Sequence, residues 1–173
     1  MQTWTQDNAT CEVLTFKAGL LSAVGHDLLL RVTRFQLTYD DGTLKGSFDG
    51  TSFEFGGVVK NGTVIPDGLS PKDQAEVLKN IKKHVFKKHR EESITFECPE
   101  VDEEEDSLSG EGTLTIPPSS HSIRFEATLA DGMARCEVTL HQPDWRIKPF
   151  SALMGTLKVK PDVVVRLQVP WSA

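Results

Sequence analysis

Three dipeptides, Asp41-Gly42, Asn61-Gly62 and Asp131-Gly132, each stand between segments in which apolar and polar residues alternate. A two-residue hairpin needs positive φ at its corner, which Asn, Asp and Gly tolerate, and its twist matches that of the strands it joins. The chain is therefore committed to antiparallel strands. Only residues 70–90 carry a convincing helical pattern. Many antiparallel strands with one helix predict a sandwich or a closed barrel. A barrel of about eight strands has an interior that can hold one small ligand.

The alternation assigns faces. Residues 10–17 read as a first strand, and 26–39 place Thr33, Phe35, Leu37 and Tyr39 opposite Arg34, Gln36 and Thr38. Leu44 and Phe48 share a face with Gly46, where a missing side chain eases bending or leaves interior room. Phe53 and Phe55 flank Glu54. Further faces are Ile94, Phe96 and Cys98; Leu108, Gly110, Gly112, Leu114 and Ile116; Ile123, Phe125, Ala127 and Leu129; and Ala134, Cys136, Val138 and Leu140. Residues 141–156, with Trp145, Phe150 and Met154, read as irregular, and 163–169 as the last strand. A bend or short helical turn is expected in AGLLSAVG, residues 18–25. There is no internal repeat and no boundary, so residues 1–173 are read as one domain.

The helix is expected to start at Ser70-Pro71, with serine as cap, proline at the first position and Asp73 at the positive end of the helix dipole. Ala75, Leu78, Ile81 and Val85 form its apolar stripe. Residues 70–90 carry seven Lys/Arg against Asp73 and Glu76, and residues 91–106 carry nine Asp/Glu and no Lys/Arg. The simpler account is two solvated faces that attract each other loosely; the other is docking of the helix on an anionic membrane.

The net charge of −6 argues against a nucleic-acid partner. No run of about 20 apolar residues exists, so stable membrane insertion is not expected. The start MQTWTQDNATCEV shows no basic region followed by an apolar one, which predicts a cytoplasmic protein if Met1 is the natural start and a periplasmic one if a leader has been removed. Cys11, Cys98 and Cys136 are too scattered for a zinc motif, so buried structural thiols, no metal and no cofactor are expected.

Four motifs, in order, carry a resemblance: SAVGHDLLLRVTRF around His26, Ile94-Thr95-Phe96 after the helix, GEGTLTI at 110–116, and PDWRI at 143–147. Together they resemble the YceI-like family of lipocalin-like, lipid-binding proteins, over nearly the whole chain. The chain departs from that pattern at Pro117-Pro118, where an Arg-Gly turn is common, and at Glu91-Glu92-Ser93, where a proline is usual. The resemblance implies a mainly β protein, an antiparallel lipocalin-like barrel with one principal α-helix, holding an isoprenoid or another long-chain amphiphile. Such a ligand needs an apolar lumen with few polar groups. Candidate lining residues are Phe16, Leu28, Phe35, Phe48, Phe53, Phe55, Phe96, Leu114, Phe125 and Met154, with the alternative that these simply fill a solid core.

His26-Asp27 is the pair that most suggests chemistry, because a carboxylate can orient an imidazole. In a strand the two would point to opposite faces, and no Ser or Cys in a nucleophile-elbow context accompanies them. The reading is a carrier of a lipophilic molecule, not an enzyme, with His26 as a head-group anchor; the alternative is an enzyme acting on a small lipophilic substrate with His26 at the barrel mouth. A homodimer is left open.

Overall fold

A computed structural model describes residues 1–19, 25–86 and 94–172, with Leu153 described in its backbone only. The strands are β1 (Gln2–Thr5), β2 (Thr10–Thr15), β3 (Lys17–Ala18), β4 (Asp27–Val32), β5 (Phe35–Asp40), β6 (Thr43–Phe48), β7 (Phe53–Lys60) and β8 (Thr63–Ile65). Helix α1 (Pro71–Asn80) follows and runs into a wider π-helical turn, Ile81–Val85. Then come β9 (Ile94–Cys98), β10 (Val101–Glu103), β11 (Ser107–Ile116), β12 (Ser119–Ala130), β13 (Met133–His141), β14 (Ser151–Ala152), β15 (Leu157–Val159) and β16 (Asp162–Pro170). The three predicted corners all have positive φ at both positions: 46° and 77° at Asp41-Gly42, 52° and 78° at Asn61-Gly62, 54° and 70° at Asp131-Gly132.

The sheet closes because three of its staves are bent strands. β1 pairs with β5 and β2 with β4, so β1 and β2 are the halves of one stave facing the continuous stave β4–β5. That stave pairs in turn with β6–β7. The bend between its halves stays hydrogen-bonded, with Thr33 N–H donating to the Ser52 carbonyl and Asp49 N–H to the Arg34 carbonyl, each at 2.9 Å. From β6 the order runs β9, β11, β12, β13, β16 and back to β2. Counting bent strands once, this is a closed antiparallel barrel of eight staves, as the sequence predicts.

The strand directions define two ends. At one, here the terminal end, lie Met1, Ser172, the turns at 41–42 and 131–132, and the loop 99–107; Val101 N–H donates to the Gly42 carbonyl and Trp171 N–H to Gly132. At the other, the helix end, lie the turn at 61–62, the cis Pro117–Pro118 turn, and the segment 141–161. β9 reaches only as far as Phe48 on β6. Beyond it β7 turns away to pair with β8, and the helix covers the gap. Its attachment is Phe86, whose ring stacks on Phe53 at 5.7 Å and packs over Gly50, where a Cβ would lie 2.9 Å from Phe86 Cε1.

Helix α1 starts as its residues demand: Ser70 Oγ accepts from Asp73 N–H at 3.2 Å and donates to Asp73 Oδ2 at 2.6 Å. Its stripe is shifted from the sequence expectation. Leu78, Ile81 and Val85 are half-buried, but Ala75 is exposed and Val77 takes its place. The half-buried positions Gln74, Val77, Leu78, Ile81 and Val85 follow the spacing of a regular helix, and Ala75 lies off that side. The expected continuation to residue 90 and the bend at 20–24 lie outside the described residues.

The alternating faces point as expected. Inward residues build one core, and outward ones form cross-strand ion pairs at directly opposed positions: Glu111 with Arg124, Lys45 with Glu97, Glu137 with Arg166, and Glu12 with Arg31. Exposed pairs of this kind contribute under about 1 kcal/mol each but penalise register slips. The inward glycines do not leave empty room. A Cβ on Gly46 would lie 2.8 Å from the Phe48 ring, and one on Gly112 would lie 2.4 Å from Phe96 Cζ. Each glycine makes the niche in which an aromatic ring sits.

Gly112→Ala is therefore predicted to destabilise the fold by about 1–3 kcal/mol through overpacking. Chemical denaturation checks this: the double variant with Phe96→Leu should recover part of the loss, and an unchanged midpoint for Gly112→Ala would contradict the packing described.

Candidate ligand cavity

The barrel encloses a cavity of about 260 Å³. Its wall is made by inward residues of every stave: Cys11, Val13 and Thr15; Leu30, Val32 and Leu37; Leu44, Phe48 and Phe53; Ile94 and Phe96; Leu114 and Ile116; Ile123, Phe125 and Ala127; Ala134, Cys136 and Val138; Val163, Val165 and Leu167. From the helix come Ile81, Val85 and Phe86.

Both ends are capped by aromatic residues. At the terminal end Trp4 and Trp171 stack at 5.9 Å, and Tyr39 packs on Trp171 at 5.1 Å. Trp4 Nε1 donates to the Pro170 carbonyl at 2.8 Å, and the Tyr39 hydroxyl donates to Glu103. That hydrogen bond, helped by partial burial, pushes the Tyr39 hydroxyl up to about 12. At the helix end the turn Gln142–Trp145 folds inward. Trp145 is 3% exposed, donates from Nε1 to the Leu114 carbonyl at 3.2 Å, and meets the His121 ring at 5.2 Å.

Two polar side chains at the wall, Gln142 and Asp49, already have partners. Gln142 Nε2 donates to the Lys160 carbonyl at 3.1 Å. Asp49 accepts from Thr51 N–H at 2.7 Å and from Arg34 Nε at 2.9 Å. Burial alone would raise the Asp49 pKa, but the hydrogen bonds from Thr51 and Arg34 outweigh it and hold the carboxyl below its usual range. The lumen thus offers hydrocarbon contact and almost no free hydrogen-bonding capacity.

Of the ten apolar candidates, Phe48, Phe53, Phe96, Leu114 and Phe125 line the cavity. Phe35 points inward and is buried, but its ring stacks on Phe48 at 6.1 Å and stands behind it. Phe16 and Leu28 lie at the rim, half-buried and outside the lining. Phe16 follows the end of β2 and shares the outward face with Leu14. Leu28 is cut off from Leu30 by a register shift between Leu29 and Leu30, where a bulge twists the stave. Phe55 is half-buried and opposes Leu30, at the same register shift, and is also outside the lining. Met154 is fully exposed at the tip of the β14–β15 hairpin, with φ 53°.

His26 is at the helix end, as expected, but it is exposed and precedes β4 instead of lying in it. Asp27 does not orient it: Asp27 Oδ1 accepts from Lys17 N–H at 2.8 Å. The cavity wall also contains residues that the sequence reading passed over, among them Trp4, Trp145 and Trp171 at the caps and Phe86 on the helix. The alternation of Val163, Val165 and Leu167 was a usable signal for β16; nothing local marked Phe86. Among the described residues no group of three or more His, Cys, Asp or Glu could hold a metal, and no helix is long and apolar enough to cross a membrane.

The basic helix and the acidic segment do not face each other. The acidic residues 102–106 belong to the terminal end with β10, while the helix covers the opposite half of the barrel. Among the described residues the expected loose attraction is not formed, because β9 carries the chain from one end to the other between them; the parts of both runs at 87–93 lie outside the described residues.

All three thiols are free, with Cys11 and Cys98 buried and Cys136 half-buried. Burial pushes Cys11 up to about 12 and Cys136 up to about 11, and also raises Cys98, whose Sγ–H donates to the Glu100 carbonyl at 3.0 Å. A raised folded pKa for an acid means that the folded state holds its proton longer than the unfolded one. Stability is then full below the ordinary thiol value and falls as pH rises from about 9 toward these values. The predicted result is a melting temperature that drops over this alkaline range, and a drop that is smaller in a Cys11→Ala/Cys136→Ala variant, the remainder coming from Cys98 and Tyr39. An equal drop in that variant would refute the assignment.

Searches against sequence-family models and against curated proteins find no match. The structure is similar to the crystal structure of BcnA from Burkholderia cenocepacia, with a TM-score of 0.62 and 11% identity, covering 95% of this chain and 96% of that one. At that identity the likeness bears on the fold alone: this chain is a curled antiparallel barrel of the lipocalin-like type, with the helix packed against it.

Proposed function

We propose that this protein is a YceI-like carrier that binds one long apolar molecule, an isoprenoid chain or a similar amphiphile, inside the barrel. The observation that carries this reading is the lumen itself. Its roughly 260 Å³ is bounded almost wholly by side-chain carbon, and Gln142 and Asp49 at its wall are already paired. Small-molecule sites usually run from roughly 300 to 1,000 Å³. A space slightly below that range suits a single slender chain better than a fused-ring compound. Transfer of such a chain from water contributes about 0.8 kcal/mol per buried CH₂, so apolar contact can supply the affinity without any head-group contact inside.

The same lumen speaks against turnover as the main activity. General acid–base catalysis needs a titratable group within hydrogen-bond reach of the reacting atom. His26 faces solvent outside the wall, and Asp49 is held by Thr51 and Arg34.

Titration with a fluorescent long-chain fatty analogue tests the reading. Saturable binding at about one equivalent is expected, weakened at least tenfold by Ala127→Leu or Ala134→Leu, which place extra carbon in the lumen. His26→Ala should change neither the binding nor the melt. Binding that survives both lumen variants unchanged would put the ligand elsewhere.

A further inference from the structure

We propose that the helix end of the barrel docks on the surface of an anionic lipid bilayer, an inference that rests on the carrier reading and names the surface from which the cargo is taken. Lys82 and Lys83 are exposed on the π-helical turn, and Arg146, Lys148, Lys158 and Lys160 are exposed on the segment that closes the same end. The two elements meet where the His84 ring packs on Phe150 at 5.6 Å. None of the six cations is ion-paired with a described residue.

Two further observations point to a bilayer and not merely to counter-ions. Apart from Met1, the exposed large apolar side chains among the described residues are Met154, fully exposed, and Ile65. Both belong to the helix end, Met154 at a hairpin tip beside Lys158 and Ile65 next to the Asn61-Gly62 turn. Cations on the same end as an exposed apolar tip suit the interface, where the charges meet lipid phosphates and the tip enters the acyl boundary. The inner side of the same turn, Ile81, Val85 and Phe86, lines the cavity. Surface and lumen thus share one thin wall.

The net charge of −6 does not oppose this. The acidic residues 102–106, with Asp40, Asp41 and Asp131, sit at the far end of the barrel. A nine-residue strand such as β16 spans about 30 Å, several screening lengths at physiological salt. The acidic end is therefore screened from a membrane at the helix end, where Asp144 and the His141-paired Asp162 are outnumbered by the six cations.

Vesicle flotation at low and high salt tests the proposal, using phosphatidylcholine alone and phosphatidylcholine containing about one third phosphatidylglycerol. Binding is expected only to the anionic vesicles and should fall at high salt. Lys82→Glu/Lys83→Glu should weaken it at least about tenfold, and Met154→Asp should weaken it further. Lys45→Glu/Arg124→Glu, with the same net-charge change on the barrel wall, should retain it. No binding to anionic vesicles, or equal loss in the wall variant, overturns the proposal. So does salt-sensitive self-association without vesicles, which would assign the basic end to the acidic end of a second copy. Each variant is also titrated with the fluorescent fatty analogue in the absence of vesicles. Retained lumen binding with failed flotation sinks docking alone, and loss of both sinks the carrier reading with it.

Discussion

Closure of the sheet is the constraint on which the rest depends. A closed antiparallel barrel has no free edge, so every stave must pair on both sides, and one face of every stave must point inward. Once the first three staves form the bent pairs β1–β2, β4–β5 and β6–β7, the inward positions of all eight converge on one volume. Their residues are almost entirely apolar, and several of the aromatic rings among them are seated against glycines of the same or a neighbouring strand. The glycines keep large rings flat against the wall, which leaves the axis of the barrel open.

The two ends divide the work. At the terminal end Trp4, Trp171 and Tyr39 form a hydrogen-bonded stack that seals the lumen and ties the first strand to the last. At the helix end the wall is incomplete, because β9 is short and β7 departs to pair with β8. A helix with no fully buried residue within α1 covers that gap, gripping the barrel mainly through Phe86. An element held by few apolar contacts opens at lower free energy than the staves. The weakest part of the wall and the basic surface therefore coincide, whereas acidic charge gathers at the sealed end.

Much of this architecture was legible from local chemistry. The three corner dipeptides, the Ser70 cap and the inward faces around Leu37, Phe48, Phe96, Phe125 and Val138 each follow from rules that act over a few residues. What escaped reading depends on partners distant in sequence. Nothing around Thr33-Arg34 or Gly50 announces that a strand bends and continues, because the hydrogen bonds that carry the ladder across come from the other stave. Leu28 and Phe55 obey the alternation yet fall outside the lumen, where a bulge between them and the neighbouring positions shifts the register. Met154 and His26 looked like site residues because apolar and imidazole side chains are usually put to use, but their surroundings place both in solvent. The opposition of acidic and basic ends is likewise invisible in sequence, where the two segments are neighbours.

The central claim is that the lumen binds a chain by apolar contact alone, and calorimetric titration with a homologous series of single-chain amphiphiles sharing one head group tests it most directly. The account predicts that affinity rises by about 0.8 kcal/mol for each added CH₂ until the lumen is filled, then levels off, with a negative heat-capacity change throughout the rising part. Affinity that is insensitive to chain length but follows the head group would contradict it.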